Sequence, residues 1–295
     1  MAQNSLVPAQ LTVLEVKGRI LKGVAGQYTV DTPQGQYICN ARGLFRKNKI
    51  SPIVGDWVEI SIENSETGQL MTILPRSNEL KRPKVANVDQ VLIVLASARP
   101  SFSFTMLDRY LMQSEHEEIE AAICINKTDL DAAIAEEVYK IYKNIGYTVF
   151  SVSVKESDGL QPVQEYLQSK TTVLAGPSGV GKSSLINRLT GRENMPTGIV
   201  SEKIGRGKHT TRHAEFIPIS TGAYVIDTPG FSSLEPPDIP LSERAMLFKE
   251  FLPHLGQCKF SDCFHNKEID CAVKEQVGVT IHPSRYARYI EWLNE

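Results

Sequence analysis

Short stretches of alternating apolar and polar residues fill the first quarter of the chain. Such alternation, interrupted by Gly, Asn and Pro, predicts β-strands with one buried face. Five short strands within residues 12–75 fit a small closed barrel, for which the OB-fold is our prediction and an SH3-like barrel the alternative. The predicted strands are Thr12–Leu21, Gln27–Val30, Gln36–Cys39, Asp56–Ser61 and Gln69–Leu74.

Longer apolar runs begin near Val85. The segment Val88–Ser97 is almost continuously apolar, which is typical of a strand covered on both faces of a sheet. Amphipathic stretches at Met106–His116 and Asp131–Ile145 predict helices on either side of a further apolar strand. Because strands alternate with helices, this part of the chain is predicted to form a three-layer α/β domain.

A glycine-rich turn lies between a predicted strand, Thr171–Ala175, and a predicted helix, Ser183–Leu189. A strand, a glycine turn and a helix N-terminus form an anion site, where backbone N–H groups surround phosphates and a serine hydroxyl binds Mg²⁺. A chance match is the alternative, which the flanking strand and helix disfavour. The predicted phosphate-binding residues are Gly176, Pro177, Ser178, Gly179, Val180, Gly181, Lys182, Ser183 and Ser184.

A polar run at residues 126–129 follows the apolar strand Ala121–Ile125. The Asp129 carboxylate can accept hydrogen bonds from N1 and N2 of guanine, and against adenine it would stay unpaired. A cap for the following helix is the alternative reading of this run. The predicted guanine-contacting residues are Asn126, Lys127, Thr128, Asp129 and, from the loop after another strand, Ser153.

The order of these motifs is unusual. Lys127 precedes Lys182 by 55 residues, whereas in an ordinary GTPase the guanine-reading loop lies well downstream of the phosphate loop. Asp227 and Gly230 belong to an Asp-Thr-Pro-Gly string 45 residues after Lys182, where the carboxylate can hold Mg²⁺ through water and the glycine N–H can reach the γ-phosphate. All three motifs in this order predict a circularly permuted GTPase domain.

Three cysteines and one histidine cluster within 14 residues near the end of the chain. Four soft ligands at this spacing match a closed tetrahedral zinc site without an open position, so the predicted metal is structural. Unrelated core cysteines are the alternative, which the polar surroundings disfavour. The predicted zinc ligands are Cys258, Cys263, His265 and Cys271, and the predicted core thiols are Cys39 and Cys124.

The predicted helix Ser284–Leu293 carries Arg285 and Arg288 beside Tyr286 and Tyr289. A packing helix with a solvent-exposed polar face is one interpretation. An RNA-facing patch is the other.

These features together resemble the bacterial ribosome small-subunit-dependent GTPase A family. The resemblance runs from about residue 12 to the end and includes the basic run Gly205–Arg212 at the switch I position and Phe231 after Gly230. With the patterns above, it implies a multidomain α/β chain: an OB-like barrel in residues 1–80, a circularly permuted P-loop GTPase domain in 81–232 and a helical zinc-binding domain in 233–295. Met1–Gln10 match nothing and are interpreted as a leader.

Phe231 stands where many GTPases place a glutamine that orients the attacking water. An apolar side chain cannot do this, so we expect slow intrinsic hydrolysis and help from elsewhere. The predicted catalytic residues are His209, acting on water, and Lys182; a switch residue facing RNA or phosphate is the alternative for His209. The residues expected on the magnesium side, directly or through water, are Ser183, Thr210, Thr211 and Asp227.

The net charge of −2 does not indicate a nucleic-acid partner, but residues 1–84 hold 11 Lys and Arg against 7 Asp and Glu. A charge cluster is most often a solvated face, and only the family resemblance favours rRNA contact. Without a run of about 18 apolar residues or a signal-peptide pattern, we expect a cytoplasmic monomer with no membrane partner.

The leading interpretation is a GTP hydrolase that uses Mg²⁺ and serves as a late assembly factor of the small (30S) ribosomal subunit. The resemblance implies rRNA binding, stimulation by that subunit and release on hydrolysis to GDP. A P-loop ATPase or kinase is one alternative, against which Lys127 and Asp129 argue. A non-enzymatic RNA-binding protein with a structural guanine nucleotide is another.

Overall fold

The computed structural model describes residues 15–41, 45, 51–81, 83–191, 215–227 and 237–295. The described residues form two compact units, one within Met1–Asn87 and His213–Phe216, the other within Val88–Arg212 and Ile217–Glu295. Among the helices of these ranges, none is both long and apolar enough to cross a membrane.

The first unit contains a closed barrel with strand order β1-β2-β3-β5-β4, in which β1 also pairs with β4. All neighbouring strands are antiparallel except β3 and β5. Its interior is apolar, with fully buried Ile20, Val30, Val58 and Leu70. The predicted OB-like barrel is thus confirmed. The strands are β1 Glu15–Val24, β2 Gln27–Thr32, β3 Gly35–Ala41, β4 Trp57–Ile62 and β5 Thr67–Ile73.

A short antiparallel hairpin, β6 Glu79–Lys81 and β7 Lys84–Ala86, follows the barrel. The sequence patterns did not predict it, because three-residue strands are too short to show alternation.

The second unit is built on a six-stranded sheet with order β10-β9-β8-β11-β13-β12. The pairs from β10 to β13 in that order are parallel, and every residue of β8 and β11 is buried. Such continuous burial requires cover on both faces, as the apolar runs predict. The strands are β8 Gln90–Ala96, β9 Glu120–Asn126, β10 Thr148–Ser151, β11 Thr171–Ala175, β12 Phe216–Ser220 and β13 Ala223–Asp227.

Four helices accompany this sheet. The second of them begins at a capping side chain, Asp131, which accepts from the Ala133 N–H, and it ends at Gly146 in the left-handed conformation. Both boundaries follow the sequence prediction within one residue. The helices are α1 Phe104–His116, α2 Ala132–Ile145, α3 Leu160–Leu167 and α4 Lys182–Thr190.

The C-terminal segment, residues 237–295, packs its own apolar core against α1. The rings of Phe248, Phe251, Tyr289 and Trp292 form this core, and Met112 of α1 belongs to the same cluster. The segment contains two short 3-10 helices and two α-helices: Leu241–Leu247, Leu252–His254, α5 Ala272–Glu275 and α6 Pro283–Leu293.

Candidate nucleotide site and metal centre

The glycine-rich loop lies at the carboxyl end of β11, and α4 begins at Lys182 directly after it. Gly176 has φ of +130°, and a Cβ there would lie 2.0 Å from the Val94 carbonyl oxygen. Gly181 has φ of +101°, and a Cβ there would lie 2.3 Å from Asn126 Nδ2. Both positions therefore require glycine, because the backbone passes directly against neighbouring strands.

The ammonium group of Lys182 folds back over this loop. Its Nζ donates to the carbonyl oxygens of Gly176 at 2.7 Å and Pro177 at 2.8 Å. The loop thus carries a positive charge at the N-terminal end of a helix, where the helix dipole also favours an anion.

Asn126, the last residue of β9, joins three loops. It is buried, and its Nδ2 donates to the Val180 carbonyl at 2.8 Å. Its Oδ1 accepts from the N–H groups of Lys127 at 2.8 Å and Val154 at 3.2 Å. One side chain therefore fixes the run 126–129, the glycine-rich loop and the loop after β10 relative to one another.

Lys127 strengthens this arrangement. Its backbone has φ of +63°, and its Nζ donates to the carbonyls of Gly179, at 2.7 Å, and of Arg99. Ser97 Oγ donates to the Lys127 carbonyl at 2.6 Å. The loop after β8 is thus tied to both the glycine-rich loop and the run 126–129, a contact that the sequence did not predict.

Asp129 lies beside Ser153, as the sequence predicted for two loops that face one base. Ser153 Oγ donates to Asp129 Oδ1 at 2.7 Å, and Lys155 Nζ lies 4.0 Å from Oδ2. The carboxylate is 17% exposed, so it is held in one orientation yet is still accessible. Thr128 turns the other way and donates to the Val152 carbonyl at 3.0 Å.

Other predicted site residues lie at the limit of the described chain or outside it. The backbone of Asp227 ends β13, where it is in register with Leu174 of β11, next to the glycine-rich loop. The residues outside the described ranges are His209, Thr210, Thr211, Gly230 and Phe231.

The four predicted metal ligands come together. Their ligand atoms all lie within 4.8 Å of one another. His265 Nδ1 is 3.5 Å from Cys258 Sγ and 3.4 Å from Cys271 Sγ, and the two sulfurs are 3.8 Å apart. A tetrahedral metal with bonds of about 2.3 Å to sulfur and about 2.0 Å to nitrogen gives edges of about 3.8 and 3.5 Å. The cluster therefore fits one metal ion, and the sulfurs are too far apart for disulfides.

The backbone around the cluster is ordered by side chains that do not bind the metal. Glu268 accepts from the N–H groups of Phe264 and Asn266, at 3.0 and 2.8 Å. Tyr286 of α6 donates its hydroxyl to the His265 carbonyl at 2.8 Å. Such second-shell contacts fix the orientation of a ligand, and in this loop His265 has a strained φ of +57°.

The protonation of the ligands also suits a metal. Burial lowers the pKa of His265, which keeps the imidazole neutral and able to coordinate. Burial and the neighbouring thiols raise the pKa of Cys263 to about 12, while the His265 N–H acts in the opposite direction. A cation in the centre would reverse this preference and favour the thiolate forms.

The interpretation of α6 as a helix with a solvent-exposed polar face, or as an RNA-facing patch, is wrong at Arg285. This guanidinium is completely buried, and its Nε donates to Glu250 Oε1 at 2.6 Å. Arg288 is also largely covered, and its Nε donates to Asp108. The polar face of α6 packs against α1 because carboxylates on the other side neutralise it. Cys39 and Cys124 are buried, as predicted.

Comparison with known proteins places this geometry in a family. The family model described as RsgA GTPase matches residues 73–237, and the one described as RsgA N-terminal domain matches residues 17–70. A relative from Caldanaerobacter subterraneus subsp. tengcongensis, named small ribosomal subunit biogenesis GTPase RsgA, is 44% identical over 95% of each chain. A relative of the same name from Bacillus subtilis is 44% identical over 95% of this chain and 97% of its own.

Solved structures give the same result. YjeQ from Thermotoga maritima superposes with a TM-score of 0.81 at 36% identity, over 95% of this chain and 98% of that one. YloQ, described as a circularly permuted GTPase, superposes with a TM-score of 0.79 at 38% identity, over 98% of this chain and 97% of that one. The permuted order predicted from the motifs is therefore confirmed, and the chain belongs to the RsgA GTPase family.

Proposed function

We propose that this GTPase is a late assembly factor of the small (30S) ribosomal subunit, to which it binds through rRNA and from which hydrolysis releases it. The names of the relatives from Caldanaerobacter and Bacillus subtilis support the ribosomal part. One observation carries the nucleotide part: the Asn126 amide joins the predicted guanine loop to Val180 of the predicted phosphate loop, in spite of their reversed order.

In this proposal GTP lies across the joined loops. The Asp129 carboxylate, oriented by Ser153, accepts from N1 and N2 of guanine, and the N–H groups of residues 176–184 surround the phosphates. Lys182 exchanges its loop carbonyls for β- and γ-phosphate oxygens. Bound Mg²⁺ neutralises charge between these phosphates, with Ser183, Asp227 and one of Thr210 and Thr211 on its side, directly or through water.

Hydrolysis requires a group that orients the attacking water. Phe231 cannot supply one, and His209 is the proposed residue of this chain. The small subunit stimulates turnover by completing this arrangement, and the product is GDP with phosphate.

The metal in the C-terminal segment is proposed to be one zinc ion in a structural role. Thiolate and imidazole ligands at tetrahedral spacing support zinc, and four protein ligands leave no position for a reacting water.

The remaining parts of the proposal concern organisation. The chain is divided into a barrel of residues 1–80 that contacts rRNA, a GTPase domain of 81–232 and a zinc-binding domain of 233–295. It works as a cytoplasmic monomer. The basic excess of residues 1–84 supports the rRNA contact, because phosphate contacts are made by Lys and Arg.

The test is single-turnover GTP hydrolysis with no subunits, with purified small subunits and with large subunits. We expect stimulation by small subunits alone, no turnover by Lys182→Ala, and a loss of about 10²–10⁴-fold in the stimulated rate of His209→Ala at unchanged GTP affinity. His116→Ala, at the exposed end of α1, is the matched control and keeps the wild-type rate.

Each alternative has its own outcome. Competition of GTP binding by equimolar ATP would indicate an ATPase or kinase. Tight GTP binding without turnover, even on small subunits, would indicate a non-enzymatic RNA-binding protein. Wild-type turnover by His209→Ala would leave the ribosome or another switch residue as the source of catalysis.

A further inference from the structure

A cluster of buried charges joins α1 to the C-terminal segment. Arg285 of α6 donates to Glu250 through Nε at 2.6 Å and Nη2 at 3.1 Å. Its Nη1 lies 2.5 Å from Asp108 Oδ1 of α1, a charge contact outside hydrogen-bond geometry. Arg288 pairs with the other Asp108 oxygen, and Tyr142 of α2 donates to Oδ1 at 2.5 Å. Two carboxylates and two guanidinium groups balance one another.

Each member of this cluster depends on the others. Burial alone would lower the pKa of Arg285, but the Asp108 and Glu250 carboxylates raise it well above its usual value. Arg285 and Asp108 are 0% and 2% exposed, so water cannot replace a lost partner. The cluster therefore resists separation of α6 from α1.

The same face of α1 makes further contacts along its length. Arg109 pairs with Glu295 at 2.6 Å, and Glu115 pairs with Lys249 at 2.9 Å. Met112 lies between them and belongs to the apolar core of the C-terminal segment. Because these residues recur every three or four positions, one continuous stripe of α1 holds the segment.

The opposite face of α1 reaches the predicted phosphate loop. Tyr110 is buried, and the Gly176 backbone amide lowers its pKa while burial raises it to about 12. The loop that leads into α1 is held through the Arg99 carbonyl by Lys127, whose Nζ also donates to Gly179. One helix of 13 residues thus contacts both the nucleotide loops and the C-terminal segment.

We infer that α1 couples occupancy of the nucleotide site to the stability of the C-terminal metal-binding segment, with Asp108 and Tyr110 as positioning residues on its two faces. A nucleotide that orders the loops around Gly176 and Arg99 holds α1 in place, and α1 holds α6. Because binding linkage is reciprocal, weakening the α1–α6 contact weakens nucleotide binding by the same factor. This inference rests on the nucleotide site assigned under the proposed function.

Hydrogen exchange of the full-length, metal-loaded protein with and without saturating GDP tests the inference. In the wild type we expect GDP to slow amide exchange in α4, which reports binding, and in α6 by at least about fivefold, the lower end of usual coupling. In Asp108→Asn the α6 response disappears, and GDP binds about fivefold more weakly. In Tyr110→Phe, which leaves every described α6 contact intact, the α6 response falls while exchange without GDP stays unchanged.

Matched controls lie on α2. Glu136→Gln removes a carboxylate from an exposed ion pair, and Tyr139→Phe removes an exposed hydroxyl; both keep the wild-type response. If Asp108→Asn does not fold, Tyr110→Phe decides. Protection of α4 without α6 in the wild type, or a full α6 response in Tyr110→Phe, overturns the inference. Protection of neither helix overturns the nucleotide site, and the inference with it.

Discussion

The nucleotide loops and the metal loop are organised by opposite means. Asn126 and Val180 are 54 residues apart in the chain, and the sheet brings them together. The four metal ligands lie within 14 residues, and the contacts that order them come from their own loop and from α6. The first site is therefore a property of the fold. The second needs an ion to hold its thiols together.

Removing the metal should break this comparison most strongly. Binding of a structural metal is worth about 10–16 kcal/mol, so a chelator that strips it should open residues 258–271. The barrel and β8–β11 should stay protected in hydrogen exchange, and GDP should still bind. A metal-free chain with a fully protected 258–271 loop would show that the fold alone holds this loop.

Base recognition gives the next largest effect. Asp129→Asn places a donor against the guanine donors and should weaken GTP binding by about 2–4 kcal/mol, with xanthine nucleotide preferred over GTP. Asp131→Asn is the matched control, because asparagine also caps a helix and Asp131 caps α2. Calorimetric titration with both nucleotides measures the change. Unaltered preference would remove Asp129 from the site.

Asn126→Ala tests whether the fold holds the nucleotide loops. The substitution leaves the Val180 carbonyl and the Val154 N–H without this partner, and GDP affinity should fall by about 1–3 kcal/mol. Asn64→Ala is its control, since Asn64 also accepts two backbone N–H groups, but in a turn of the barrel. Equal GDP affinity of both variants would argue against the assigned role of Asn126.

The smallest effect is expected beside the metal. Tyr286→Phe removes the hydroxyl that holds the His265 carbonyl and should weaken metal affinity about tenfold. Competition with a chromogenic chelator measures it, and Tyr139→Phe, an exposed tyrosine of α2, should bind metal as the wild type does. An affinity equal to wild type would show that Glu268 alone suffices to order the loop.

The sequence predicts what short segments determine by themselves. The glycine-rich loop and the metal ligands are contiguous, so their chemistry is visible without a structure, and apolar runs such as β8 announce a covered sheet. Arg285 could not be interpreted this way, because its partner Asp108 lies in another helix far along the chain and helical periodicity reports only a polar face. His209, Thr210, Thr211 and Gly230 stay predictions.

The charge cluster on α1 also bears on how the chain is made. Arg288 follows Asp108 by 180 residues, so during synthesis the carboxylate waits for its cation until the last helix has left the ribosome. Until then, closing α1 over the sheet would bury a charge without its counterion. A product that stops before residue 285 would keep this defect permanently and present an incompletely packed α1 to proteases, which distinguishes truncated from finished molecules.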